Sequence, residues 1–392
     1  MSIYEHLGVR PIINVAGTFT IFGGALMEKE VLEAMNEAAR YSVNLEELQA
    51  AASKVIAQVT HAEAGIVTAG ASAALTLGTA ACIAGFDVAR MNRLPDTTGM
   101  PNEVIKPRYQ MSNYDHAIRL AGAKMIWVGK PTSATKWDIE SVITKNTVAI
   151  AYGFGRQPLL DEVTKIGKKY NIPVIVDAAA GVPPVENLYK FIDMGVDLVC
   201  ISGGKSIRGF QASGILCGRK DLIASAVVQM LDVDLATGAF GEWNPPASLI
   251  PKDRLRGKLE QGIGRGMKVT KEAVVGLLVA LQNLTEEKVA KETEHLRQLL
   301  EDIATRLEGI AGVEVRMTEY HKGGYPMLEV KINEQVAGRS AAEVSQRLKY
   351  REPSIYVREM YLYRGIIIVD PISLDEETAK VVGERLYTAI TG

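Results

Sequence analysis

Residues 196–218 read VDLVCISGGKSIRGFQASGILCG. An apolar, β-branched run over 196–201 ends in Ser202-Gly203-Gly204 and presents Lys205, and 213–217 then reads as a second strand closing at Gly218. The glycines before Lys205 permit a tight turn, while Gly209 and Gly214 point to something other than side chains filling the space around it. A lysine at the lip of a strand, partly desolvated, keeps a fraction of its amine neutral and can form a Schiff base. A surface lysine in a glycine-rich loop is the alternative that this segment alone leaves open.

Upstream residues narrow the choice. Asp177 stands 28 positions before Lys205, at the end of the apolar run 172–177 and ahead of Ala178-Ala179-Ala180-Gly181. In a parallel sheet the carboxyl ends of the strands line the ligand crevice, so Asp177 and Lys205 arrive at one edge from different strands. A carboxylate facing a pyridine nitrogen keeps it protonated, and the protonated ring withdraws electrons from a substrate α-carbon. Residues 65–75, GIVTAGASAAL, supply a third piece: a short strand runs through Ala69-Gly70 into an apolar helix whose start, Gly70-Ala71-Ser72, is bare. Its backbone N–H groups, with the Thr68 and Ser72 hydroxyls, suit a phosphate. Together the three pieces point to pyridoxal 5'-phosphate as cofactor.

Length and composition fit such an enzyme. A chain of 392 residues with 47% hydrophobic content can bury a large core, and one large domain with a smaller one is expected. No segment approaches ~18 uninterrupted apolar residues, and the start MSIYEHLGVRPI lacks the basic flank and apolar core of a signal peptide, so a cytoplasmic location is expected. Cys82, Cys200 and Cys217 are odd in number and lack metal-ligand spacing; reduced core cysteines and no metal are expected. Forty-four Lys and Arg against 46 Asp and Glu give a formal charge of −2, with no global footprint for nucleic acid or membrane.

Strand and helix patterns alternate along the chain, which predicts an α/β fold with a mostly parallel sheet covered on both faces. Strands are expected at 65–69, 103–107, 124–128 and 147–152, and helices at 28–40, 45–59 (capped by Asn44) and 160–170. Residues 87–100 read as a loop, and so does Gly153-Phe154-Gly155. Regularity breaks over 237–251. Long helical periodicity follows over 254–280 despite Gly257, Gly262, Gly264 and Gly266, which suggest close approach at a subunit contact or a cofactor phosphate. From 286 the pattern becomes a small α+β domain with 366–369 as its buried central strand. The domain plan is an N-terminal arm over 1–25, a large cofactor-binding domain over 26–285 and a small C-terminal domain over 286–392.

The opening Arg10-Pro11-Ile12-Ile13-Asn14, the GASAAL helix start, VIVDAAAG and DLVCISGGKSIRGFQASGIL occur in the order found in a known group. The chain resembles the selenocysteine synthase-like group of fold-type-I pyridoxal-phosphate enzymes, which includes L-seryl-tRNA(Sec) selenium transferases and D-glucosaminate-6-phosphate ammonia-lyases. The resemblance implies a fold-type-I architecture and a homo-oligomer whose N-terminal arm reaches a neighbouring subunit. It implies Lys205 and Asp177 as catalytic residues, with Gly70, Ala71, Ser72 and Ser202 also binding the cofactor. A ring from the polar run 108–116 would lie over the cofactor: His116 or Tyr114, with His116 preferred. Arg358, in the small domain, would hold a substrate carboxylate through its fork. Arg90, Arg93, Lys106 or Arg108 could bind a substrate phosphate.

The expected activity is a lyase that removes ammonia by α,β-elimination from a small hydroxylated amino acid or amino sugar acid, such as D-glucosaminate 6-phosphate, giving a 2-keto acid. A selenium transferase and a racemase are the alternatives. Related selenium transferases carry an added N-terminal region used with tRNA, whereas the RPIIN motif here begins at Arg10; they also tend to have an aspartate where this chain has Gly204. With the near-neutral charge, these features favour a small-molecule substrate over a nucleic acid.

Overall fold

The computed structural model describes residues 2–153, 159–233 and 243–392. Its strands, in chain order, are β1 (Ile13–Val15), β2 (Ala64–Thr68), β3 (Glu103–Pro107), β4 (Lys124–Val128), β5 (Thr147–Gly153) and β6 (Val174–Asp177). They continue with β7 (Leu198–Ser202), β8 (Gly214–Gly218), β9 (Val313–Glu319), β10 (Pro326–Ile332), β11 (Ile355–Val357) and β12 (Ile366–Val369). The chain divides into two units: Met27–Leu284, and Met1–Leu26 with Thr285–Gly392.

The larger unit is built on a seven-stranded sheet ordered β2-β8-β7-β6-β5-β3-β4. Strand β8 alone runs against the others, pairing antiparallel with β2 and β7. These strands are apolar along most of their length because helices cover both faces. One face packs on helices Ala71–Ala84, Asp115–Leu120 and Lys220–Val228, the other on Leu45–Thr60, Leu160–Tyr170 and Lys271–Asn283. Small residues let the first of these lie close to the sheet: a Cβ at Gly78 would be 3.3 Å from both Leu198 and Leu216. Asn44 caps its helix, accepting from the Glu46 and Glu47 amides.

Two expectations for this unit fail, one for a local reason and one for a remote contact. Residues 87–100 contain a helix, Val88–Arg93, because the Asp87 carboxylate accepts from the Arg90 amide and supplies a cap. Over 254–280 only Lys271–Asn283 is an α-helix, and short turns at Lys252–Arg254 and Arg265–Met267 precede it. The glycines there serve backbone packing rather than helix. The Gly264 amide donates to the Gln229 carbonyl at 2.9 Å, and a Cβ at Gly262 would sit 2.5 Å from that oxygen. The expected loop 153–155 and break 237–251 fall partly outside the described residues.

In the smaller unit an antiparallel sheet, ordered β12-β10-β9, packs on helices Glu286–Leu307, Ala341–Lys349 and Glu376–Thr391. Strand β12 is buried throughout, yet it lies at the edge and β10 is central. The open side of β12 is covered by a bridge between Arg358 and Ile368, which explains its apolar sequence. The N-terminal strand β1 joins this unit by pairing in parallel with β11.

Gly218 ends β8 with φ +147°, and a Cβ there would lie 1.9 Å from the Asp197 carbonyl oxygen. Gly218→Ala is therefore expected to cost about 2–3 kcal/mol, read from the urea midpoint. An unchanged midpoint would show that the β7–β8 pairing yields without strain.

Candidate active site

Alternation along the strands brings a set of residues to one face at one edge. Lys106, Gly153, Asp177 and Ser202 each lie two residues beyond a core member on that face, respectively Val104, Ala151, Ile175 and Cys200. Strand β8 runs the other way and adds Gly214, two residues before Leu216. The helix Ala71–Ala84 packs against this face.

The Lys205 loop is closed by its own backbone. The Gly203 amide donates to the Ser213 carbonyl, the Gly209 amide to the Gly203 carbonyl, each at 2.9 Å, and the Arg208 amide to the Lys205 carbonyl at 2.8 Å. A Cβ at Gly204 would sit 2.4 Å from the Gln211 Cα, and one at Gly203 would sit 2.3 Å from the Ser213 hydroxyl. The space that these glycines leave is filled by the chain itself. Burial pushes the Lys205 ammonium below its ordinary pKa, with the Asp177 charge opposing in part.

Asp177 ends β6, where its carboxylate accepts from the Ala179 amide at 3.1 Å. Burial raises its pKa; that hydrogen bond and the charges of Lys106 and Lys205 work the other way, and Asp115 adds to the rise. Next to this edge the helix Ala71–Ala84 begins at Gly70, whose φ is +119° and whose missing side chain leaves open space. Among the described residues no side chain caps the start, which leaves its first N–H groups for an anion. Ser72 is exposed in this first turn. Thr68 is corrected here: its hydroxyl donates to the Gly70 carbonyl at 3.0 Å and shapes the turn rather than presenting a donor to a phosphate. Gly214 permits the approach of the two segments, since a Cβ there would lie 2.5 Å from the Gly70 carbonyl carbon and 2.7 Å from the Ala71 nitrogen. An uncapped helix start, a carboxylate and a desolvated lysine at one sheet edge fit a phosphorylated pyridine aldehyde.

The model of the L-seryl-tRNA selenium transferase family matches residues 12–237, more than half of the chain. The chain belongs to this family. A Streptomyces 5'-C-glycyluridine monooxygenase-decarboxylase is 32% identical over 98% of this chain and 90% of its own length. The D-glucosaminate-6-phosphate ammonia lyase of Salmonella typhimurium is 29% identical over 98% of this chain and 97% of its own. A solved D-glucosaminate-6-phosphate ammonia-lyase structure superposes with TM-score 0.81 at 29% identity, covering 100% of this chain and 98% of that one. The fold is that of the fold-type-I enzymes, and the cofactor is pyridoxal 5'-phosphate.

The other expected residues are placed less uniformly. His116 and Tyr114 are exposed at the start of helix Asp115–Leu120, and Arg108 is exposed in the turn Arg108–Gln110 after β3. That turn is tied to the end of β5: the Gly153 amide donates to Gln110 Oε1 at 2.9 Å, and the Tyr109 and Tyr152 hydroxyls lie 3.3 Å apart. Lys106, a candidate for a substrate phosphate, is instead buried in an ion pair with Asp115. Asp115 serves Lys106 and accepts from the Ser112 amide at 2.7 Å. The pair was legible only as a charge at an inward position of the apolar strand EVIKP. Arg90 and Arg93 face Asp87 and Asp96.

Arg358 is not an exposed strand end. It is buried in the smaller unit, with Nη2 on Asp370 at 2.7 Å, Nε donating to the Ala16 carbonyl at 2.8 Å and Nη1 facing the Met327 sulfur at 3.5 Å. Phe19 and Tyr320 lie beside the guanidinium. The fork expected to hold a substrate carboxylate is thus engaged by Asp370 and Ala16. The RPIIN motif supports this arrangement: Asn14 accepts from the Ala16 amide and donates to the Gly17 carbonyl, each at 3.0 Å. Cys200 and Cys217 are buried and Cys82 partly so; burial pushes the Cys217 thiol up to about 12. Among the described residues no group of three or more His, Cys, Asp or Glu could hold a metal ion, and no helix is long and apolar enough to cross a membrane.

A carboxyl whose pKa is raised by folding contributes stability below its unfolded value, and that contribution is lost as pH rises through the folded value. Cofactor-free Asp177→Asn, which does not titrate, is therefore expected to melt above the cofactor-free wild type at pH ~8, with the gap closing towards pH ~4. A wild type that melts higher at pH ~8 would contradict burial as the governing effect. Gly214→Ala should weaken cofactor binding by about tenfold or more, measured by equilibrium dialysis, because the added methyl displaces the helix start.

Proposed function

We propose that this chain is a lyase that removes ammonia from a 2-amino-3-hydroxy acid and leaves a 2-keto acid, with amino sugar acids such as D-glucosaminate 6-phosphate as the substrate class. The observation that carries this reading is the end-to-end similarity, in sequence and in structure, to the ammonia-lyases named above. Chemistry supports it. D-Glucosaminate, the seryl group in the family's name and 5'-C-glycyluridine all carry an amino group on the α-carbon and a hydroxyl on the next carbon.

When bound, pyridoxal phosphate supplies the electron sink that makes the α-proton of an amino acid acidic. The chain's residues do the rest. The helix start at Gly70, Ala71 and Ser72 holds the phosphate, Asp177 holds a proton at the ring nitrogen, Ser202 lines the same edge, and His116 or Tyr114 offers a ring to stack. Lys205, with its amine below the ordinary pKa, takes the α-proton and returns a proton to the departing hydroxyl, which leaves as water. Hydrolysis of the remaining carbon–nitrogen bond consumes one water and releases ammonia and the 2-keto acid. Arg108, exposed after β3, is the candidate contact for a substrate phosphate, and Arg358 acts as a brace within its own unit. A homo-oligomer is proposed on the general pattern of the fold type.

The Streptomyces relative favours a second reading: loss of the carboxylate with consumption of dioxygen from the same amino acid unit. One set of measurements separates the two. The purified protein should show a visible absorbance band that borohydride abolishes and Lys205→Ala lacks. Under nitrogen it should release ammonia and 2-keto acid in equal amounts, with the Lys205→Ala rate lower by about 10³-fold or more. Carbon dioxide release that requires oxygen, without ammonia under nitrogen, would replace the lyase reading with the second one.

A further inference from the structure

Lys106 is 3% exposed and Asp115 2%, and no step of the proposed chemistry uses either. Burying two charges is costly, and such a pair often stabilises a fold no better than apolar residues of similar size. Its location suggests what it serves. Lys106 lies on β3 and Asp177 on β6, on the same face, with only β5 between them. On that face β5 presents the methyl of Ala151 and the bare Cα of Gly153; among the described residues, a Cβ at Gly153 would meet nothing nearer than Gln110 Oε1 at 3.9 Å. A long cationic side chain and a carboxylate thus share a stretch of sheet on which the intervening strand, β5, presents no bulky side chain.

We propose that Lys106 is a positioning residue for the cofactor: its buried ammonium, oriented by Asp115, keeps the Asp177 carboxylate charged so that it can hold the proton of the pyridine nitrogen. The inference rests on the reading of Asp177 given above. Among the described residues, the charged groups acting on Asp177 are Lys106 from β3, Lys205 from the loop after β7, and Asp115 from helix Asp115–Leu120; the Cys200 thiol stands beside it on β7. Helix Ala71–Ala84, which covers the face, contributes only Cys82, far along it and held neutral by burial. Of the two cations, Lys106 is the larger influence lowering the Asp177 pKa. Lys205 cannot substitute for it, because that amine is the one spent on the cofactor. Asp115, accepting also from the Ser112 amide, holds the Lys106 ammonium in place on this face.

The test has two readouts that do not depend on turnover. In the first, the full chain without cofactor is melted as wild type, Lys106→Met, Asp177→Asn and the double variant, at pH ~8 and pH ~4. The loss of the Asp115 partner is common to both Lys106→Met arms and cancels in the cycle. Lys106→Met should lower the melting temperature more in the wild type than in Asp177→Asn at pH ~8, with the two effects converging towards pH ~4 as Asp177 takes up its proton. Additive effects at both pH values would overturn the proposal. Should Lys106→Met fail to fold, Lys106→Met/Asp115→Leu removes both charges and enters the cycle in its place.

In the second readout the cofactor-loaded proteins are titrated by absorbance. The pH at which the band changes should differ between Lys106→Met and wild type, and Lys106→Arg should restore the wild-type value. An identical titration in Lys106→Met and wild type would also overturn the proposal. Absence of any cofactor band, together with coupling in the melting cycle, would instead count against the reading of the site and leave the Lys106–Asp177 interaction standing.

Discussion

Everything at the sheet edge depends on one backbone-on-backbone contact, the seating of Gly214 against Gly70 and Ala71. Because β8 runs against its neighbours, its first residue lies at the edge where the parallel strands end. The loop that carries Lys205 and the helix start at Gly70 are therefore brought to the same place by strand direction, and the absence of a side chain at Gly214 lets them touch. Gly203 and Gly204 repeat the device inside the loop, against Ser213 and Gln211. The result is a lysine whose position relative to the helix start is set by main-chain atoms, the least variable part of a structure. Side chains then add charge to a frame that is already fixed.

Buried charges are tolerated where the backbone also serves them. Lys106 with Asp115, and Arg358 with Asp370, are ion pairs shielded from water in two different units. Each also has a backbone partner: Asp115 accepts from the Ser112 amide, and Arg358 donates to the Ala16 carbonyl. Additional hydrogen bonds of this kind offset part of the desolvation that a bare pair suffers. In the smaller unit the pair has a structural consequence, since Arg358 and Ala16 are 342 residues apart and their bond ties the N-terminal segment to the C-terminal one. The close packing there leaves no room at Gly17, where a Cβ would fall 2.4 Å from Arg358 Nη2 and 2.5 Å from Asp370 Oδ2.

The large sheet and the lysine edge were legible because their signals are local. A β-branched run that ends in SGGK, another that ends in Asp177, and an alanine-rich helix after a glycine each carry their meaning within about ten residues. The segment 255–270 misled because its apolar spacing matches a helix, while the partner that decides its course, the backbone around Gln229, is remote in sequence. The same distance hid the partners of Arg358. Lys106 is legible as a charge within an apolar strand, but nothing in the order of residues says that its partner is an aspartate nine positions on. Thr68 and the glycines around Lys205 were recognised as important, yet the atoms that they face belong to the chain itself.

The polar run after β3 shows how one short segment can be both fixed and exposed. Gln110 is buried and grips the Gly153 backbone, Tyr109 reaches Tyr152, and Asp115 is anchored on Lys106. Between and beside these anchors Arg108, Tyr114 and His116 face outward. A segment held at three points from beneath presents its outward side chains from a defined base, which is what orienting a reactant requires. The catalytic pieces common to such chemistry, a lysine, a carboxylate and a phosphate cradle, do not distinguish a lost hydroxyl from a lost carboxylate. That distinction depends on which bond of the α-carbon would be presented for cleavage, and hence on residues that would grip the rest of the substrate. In the larger unit, the anchored run from Arg108 to His116 has both the rigidity and the side chains for that task.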